Sequence, residues 1–120
     1  MKKMIFQDRL CDCVEMRAKA TSAKILLEVS NWENHIRIKH PEMSLRIVKK
    51  VLTEPDEIYK TAKKSKNHYY QAWIGDAKYR VVLLHLGKNR KELKTAYAIT
   101  DPERFNRIEI YCIYARGGLL

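Results

Sequence analysis

The spacing of apolar residues changes period twice along this chain. Met4-Ile5-Phe6 predicts a short strand and Asp8 to Asp12 a turn. From Cys13 to Arg17 apolar and polar residues alternate, the period of a half-buried strand. Ala18 to Val29 fits helix or strand, since Ala, Lys, Leu and Glu favour helix whereas Ile25 and Val29 do not. Residues 1–29 therefore read as an N-terminal extension of open structure.

A helical period follows. Ser30 or Asn31 suits an N-cap, with Glu33 and Asn34 in the first turn and Trp32, His35, Ile36 and Lys39 along the helix. Pro41 disfavours a helical conformation in the residue before it, so this helix ends at His40. A second helix then starts at Pro41, with Glu42 near its positive end. Leu45, Val48 and Leu52, widened by Ile47 and Val51, form its apolar stripe, and Arg46, Lys49 and Lys50 its polar side. Thr53-Glu54-Pro55 stops it.

Beyond residue 57 the period shortens to that of strands. Ile58 and Tyr59 predict an edge strand, His68 to Ile74 a second and Tyr79 to Leu86 a central strand buried on both faces. Leu93 to Ile99 is another, with Leu93, Thr95, Tyr97 and Ile99 on one face. Gly75-Asp76 and residues 87–90 are the turns of an antiparallel meander. Thr100 to Glu103 has the form of a capping box, and Ile108, Ile110, Cys112 and Tyr114 alternate as a last strand. The predicted fold class is α+β: two N-terminal helices packed on one face of a small antiparallel sheet, in a single domain over residues 1–120.

Charge narrows the partners. The chain of 120 residues has a formal net charge of +10. Residues 1–60 hold 12 basic and 9 acidic groups, residues 61–120 hold 12 and 5, so the excess lies in the second half. A basic surface attracts polyanions: nucleic acid, an anionic membrane surface or an acidic protein partner. No apolar run approaches the roughly 20 residues of a membrane-crossing helix, and Gln7, Asp8 and Arg9 interrupt any leader-like apolar segment. Three cysteines without such a leader suggest reduced thiols and a cytoplasmic location.

The candidate chemistry needs no cofactor and no metal. His35 and His40 are five apart, off the spacing that aligns two imidazoles on a helix, and Cys11 and Cys13 have no matching second pair. Cleavage of RNA requires neither. The 2′-OH is the nucleophile, a base removes its proton, an acid protonates the leaving oxygen, and cations offset the charge of the transition state. His35 and His40, with Arg37 and Lys39 between them, offer that set, and a His40 just outside the helix escapes the helical phase. Each histidine also has a structural role open to it: His35 as a core residue near Trp32, His40 as a cap at the helix junction. Thr95 and Tyr97 are either core residues or hydroxyls that reach a phosphate. Lys63, Lys64, Lys66, His68, Tyr69 and Tyr70 mix cations with aromatics, a pattern suited to binding unpaired bases. Arg80 is a further candidate phosphate cation.

Trp32-x-x-His35-Ile36-x-x-x-His40-Pro41-Glu42, followed by Pro55-Asp56-x-Ile58 and Thr95-Ala96-Tyr97, resembles the phage-associated nuclease-like families of the BECR superfamily, the group of barnase-, EndoU-, colicin- and RelE-like nucleases. The resemblance covers residues 30–100. It implies a metal-independent endoribonuclease that acts as a toxin, in a toxin–antitoxin pair or as an effector, with an acidic antitoxin or immunity protein as partner. It implies His35, His40, Thr95 and Tyr97 as catalytic residues; the side-chain chemistry read above adds Arg37, Lys39, Lys63, Lys64, Lys66, His68, Tyr70 and Arg80 as RNA contacts. The competing reading is a non-catalytic RNA- or DNA-binding or protein-interaction module using the same basic surface.

Overall fold

The computed structural model describes residues 2–6, 9–18, 23–60, 65–100 and 111–115. Eight strands form one mixed sheet: β1 (Lys2–Phe6), β2 (Arg9–Ala18), β3 (Ala23–Glu28), β4 (Glu57–Lys60), β5 (Asn67–Ile74), β6 (Ala77–Gly87), β7 (Arg90–Ala98) and β8 (Tyr111–Ala115). Their spatial order is β1-β2-β3-β7-β6-β5-β4-β8. All neighbours are antiparallel except β3 and β7, which pair in parallel through Lys24–Arg90, Ile25–Lys91 and Leu26–Glu92.

This overturns the expected two N-terminal helices on a small antiparallel sheet. Three strands precede the first helix, and all three join the sheet. Residues 9–12 belong to β2 rather than to a turn. The ambiguous stretch resolves as β3 because both its faces are covered: Ile25, Leu26 and Leu27 are each 1% exposed or less. A strand buried on both sides loses its alternation and looks like a buried helix in sequence.

The first helix, α1, is a composite: α-helix at Val29–Asn31, a wide π-helical turn at Trp32–Ile36 and α-helix again at Arg37–Lys39. Glu28 stands at its N-cap, not Ser30 or Asn31. Trp32 and Ile36 bury against the sheet. His40 leaves the helix at φ −130° and ψ 69°, as the residue before a proline should. Pro41 and Glu42 form a turn, so α2 (Leu45–Thr53) starts later than the proline suggests. Ser44 caps it, its hydroxyl accepting from the Ile47 amide at 3.2 Å. Val48, Val51 and Leu52 are fully buried, while Arg46, Lys49 and Lys50 face water.

The core lies between these helices and one face of the sheet, with Ile25, Leu27, Ile58, Tyr70, Val81, Leu83, Leu93 and Ala96 contributed by the strands. β6 runs through its middle, with Val81 and Leu83 at 0% exposure. β5 turns into β6 through Gly75-Asp76, where Gly75 takes φ +65°, a conformation that suits glycine.

A β-bulge in β7 decides which of its residues reach the second face. Val82 pairs with Thr95 but Leu83 pairs with Leu93, so Lys94 is the extra residue. Leu93 and Ala96 therefore share the core face. Thr95 and Tyr97 project from the other one, which corrects the expectation that Leu93, Thr95, Tyr97 and Ile99 share one face. Residues 101–103 of the expected capping box and 108–110 of the last strand lie outside the described residues, whereas Tyr111–Ala115 pairs with β4 as β8.

Candidate functional site

β3 covers β7 only as far as Glu92, which leaves the amides and carbonyls beyond it without a neighbouring strand. The α1 segment lies along that edge. Asn31 Nδ2 donates to the carbonyls of Leu93 (3.3 Å) and Lys94 (3.2 Å), and the Ala98 amide donates to Glu42 Oε2 at 3.0 Å. These contacts bring His40 to the end of β7. Its ring packs on Tyr97, with centroids 5.4 Å apart and planes tilted by 37°. Glu42 Oε2 is 3.8 Å from His40 Nδ1. Burial acts to raise the Glu42 carboxyl, but the Ala98 amide, its own amide and nearby His40 outweigh it and hold the group below its ordinary value.

Tyr97 connects His40 to a buried cation. The Tyr97 hydroxyl accepts from Arg80 Nη1 at 2.9 Å, and Arg80 Nε donates to Gln71 Oε1 at 2.7 Å. Arg80 and Gln71 are 7% and 2% exposed. The guanidinium stands 5.9 Å from the Tyr69 ring centroid and 5.5 Å from that of Tyr97, so it is flanked by two aromatic faces. Its burial makes it a positioning residue for Tyr97. With one lone pair engaged by Arg80, the tyrosine hydroxyl keeps its own proton to donate. Thr95 shares this face and is half-buried. Beside Gln71, Glu57 pairs with Lys78 and accepts from the Tyr59 hydroxyl. Burial would raise the Glu57 carboxyl, yet these two partners keep it low.

The remaining candidates fall elsewhere. His35, Arg37 and Lys39 are exposed on α1, and Arg37 is paired with Glu33 at 2.8 Å. The His35 side chain makes no hydrogen bond, ion pair or ring contact with any described residue, whereas His40 packs on Tyr97. Tyr70 is fully buried in the core, so its ring cannot stack on a base; Tyr69, one position earlier, occupies the second face instead. His68 lies on the helix side of the sheet, with His85 and Lys91. Lys66 is exposed beside them, while Lys63 and Lys64 lie outside the described residues. A groove of about 620 Å³ lined by Arg46, Ile47, Lys49, Lys50 and Ile74 runs along α2 and contains none of the candidate residues.

The sequence reading missed Glu42, Gln71 and Tyr69 as partners of the site. Glu42 stood in the sequence as a charge near a helix start and as the end of the His40-Pro41-Glu42 motif, and Gln71 and Tyr69 acquire their roles here from cross-strand register with Arg80 and Val82. Among the described residues no group of three or more His, Cys, Asp or Glu side chains could hold a metal ion, and no helix is long and apolar enough to cross a membrane. No family model, curated protein or solved structure matches the chain.

Proposed function

We propose that the protein is a metal-independent endoribonuclease whose reacting centre is His40 with Tyr97. The observation that carries the reading is the contact between the His40 ring and a tyrosine whose hydroxyl is fixed by a buried arginine. His40 takes the proton of the attacking 2′-OH, a role suited to an imidazole near neutral pH. Tyr97 donates to the phosphate oxygens, Arg80 holds that hydroxyl in place, and Glu42 anchors the His40 turn to the end of β7. The 2′-oxygen displaces the 5′-oxygen at phosphorus, solvent water protonates the leaving 5′-oxygen, and the products are a 2′,3′-cyclic phosphate and a 5′-hydroxyl. The +10 charge supports RNA as the partner. A toxin role, with an acidic antitoxin or immunity protein as second partner, is part of this proposal and follows from the motif resemblance.

A second reading draws on Trp73, which is 52% exposed with Lys78 Nζ 5.8 Å from its ring. An exposed indole beside a cation suits stacking on unpaired bases without cleavage. One experiment separates the two. Incubation of the purified chain with total RNA in EDTA, followed by analysis of the ends, should yield cyclic phosphates with wild type and none with His40→Ala. Binding without cleavage would establish the module instead.

A further inference from the structure

At the other end of the meander, β5, β6 and β7 bring His68, His85 and Lys91 together. His68 pairs in register with Leu83, and His85 with Lys91. All three side chains leave the helix-side face, next to the core residues Leu83 and Leu93. Lys91 Nζ lies 3.2 Å from Nδ1 of His68 and 3.2 Å from Nδ1 of His85. The two rings are nearly parallel, 8° apart, with centroids separated by 5.9 Å.

An ammonium can only donate, so both Nδ1 atoms accept from it and each ring carries its proton on Nε2. No described residue accepts from either Nε2, and none gives Lys91 a carboxylate partner. Yet Lys91 is only 4% exposed. A buried charge is ordinarily paired, because desolvation without a counter-charge is costly. The surroundings add to the imbalance. Burial first, then Lys91, His85 and Lys60, depress His68 to about 4, and burial with Lys91 and Lys66 lowers His85. Burial alone lowers Lys91. This positive field repels a metal cation and favours an anion.

We propose that His68, His85 and Lys91, with Lys66 alongside, form a binding site for a phosphate oxyanion. Lys91 supplies the buried charge and its third proton, Lys66 a second cation, and the two imidazoles hold the ammonium in place through Nδ1. A phosphate oxygen fits a buried ammonium proton with a second cation beside it. The site lies on the opposite face from Tyr97 and Arg80, and Tyr97 follows Lys91 by six positions of β7, about 20 Å of strand. It therefore stands whether or not His40 cleaves RNA.

The test titrates the labelled full chain with inorganic phosphate at pH 7 and constant ionic strength while the His68 and His85 ring resonances are followed by NMR. The expected result is a saturable shift at both rings. Lys91→Met should weaken it about tenfold or more, the scale of losing one charged hydrogen-bond partner. His85→Gln, at a half-buried position, should weaken it as well and serves if the lysine variant does not fold. A dinucleotide with and without a 5′-phosphate distinguishes the source: saturation by the phosphorylated form alone assigns a nucleic-acid end, and saturation by inorganic phosphate assigns the free ion. Both outcomes support the site. Absence of a shift with every probe, a shift that never saturates, or undiminished affinity in folded His85→Gln would overturn it.

Discussion

Arg80 and Lys91 are both buried cations of one meander, and the protein accommodates them in opposite ways. Arg80 is flanked by the Tyr69 and Tyr97 rings and donates to Gln71 and Tyr97. Lys91 is placed between two imidazoles that accept from it but bring no negative charge. The difference follows from the ions. A guanidinium is planar, delocalised and weakly hydrated, so aromatic faces and neutral oxygens can replace its water. An ammonium is compact and strongly hydrated, so burial lowers its proton affinity. The product of the first arrangement is a fixed tyrosine hydroxyl. The second is a site that an anion would complete.

The contrast predicts where activity should break. His40→Ala should lower RNA cleavage by about 100-fold or more, the scale of losing one general acid or base. His35→Ala should leave it within about twofold, since His35 stands exposed on α1 without a described partner. Equal losses in the two variants, measured by initial rates on one RNA, would return both histidines to the mechanism.

Stability should separate the two cations next. Arg80→Met leaves the Gln71 oxygen and the Tyr97 hydroxyl without their donor, at a cost of about 2 kcal/mol for buried groups that lose a partner. Lys91→Met removes a buried charge that has no carboxylate partner among the described residues, so it should shift stability by less than about 1 kcal/mol. Urea unfolding of both variants at pH 7 checks the ranking, and a larger loss at Lys91 would reverse the comparison.

Mild acid should act first at the Lys91 end, since the lowered Glu42 and Glu57 carboxyls respond only below about their ordinary value of 4.5. The folded-state value of His68 lies near 4, against 6.5 for the ordinary group. Between those values the unfolded chain binds the proton and the folded chain does not, so stability rises with pH across this window. The contribution is complete above pH 6.5 and is lost as the pH falls toward 4. Thermal melts from pH 7 to 4 should show a falling Tm, and His68→Gln should flatten that slope by a few degrees. Saturating phosphate should flatten it too, because a bound anion favours the protonated ring.

The smallest effect expected is at Trp73. Replacement by Ala should leave Tm within about 2 °C, as for an exposed side chain. A severalfold loss of affinity for single-stranded RNA at constant salt would assign base stacking to that ring; unchanged affinity would place the bases elsewhere.

Local signals were strong where one residue type settles the geometry. Pro41 ends α1 after Lys39 and forces His40 out of helical conformation, which is why the histidine can turn toward the sheet. The lysines and Arg46 of α2 mark its wet side, and Gly75-Asp76 marks the hairpin turn between β5 and β6. Each of these depends on neighbours a few positions away. The sequence also pointed to His40, Tyr97 and Arg80, because their chemistry is intrinsic to their side chains, but it offered no reason to separate His40 from His35.

Tertiary structure decided the remainder, since no local pattern carries it. Ile25-Leu26-Leu27 reads equally as helix or strand until β2 and β7 cover its two edges. The alternation of β7 places Thr95 and Tyr97 beside Leu93, and only the bulge at Lys94 sends them to the face where Arg80 lies. Tyr69 and Tyr70 are chemically alike and adjacent, yet one faces Arg80 and the other fills the core. That choice is fixed by cross-strand register, because a shift of one residue in a strand exchanges every side chain between the two faces of the sheet.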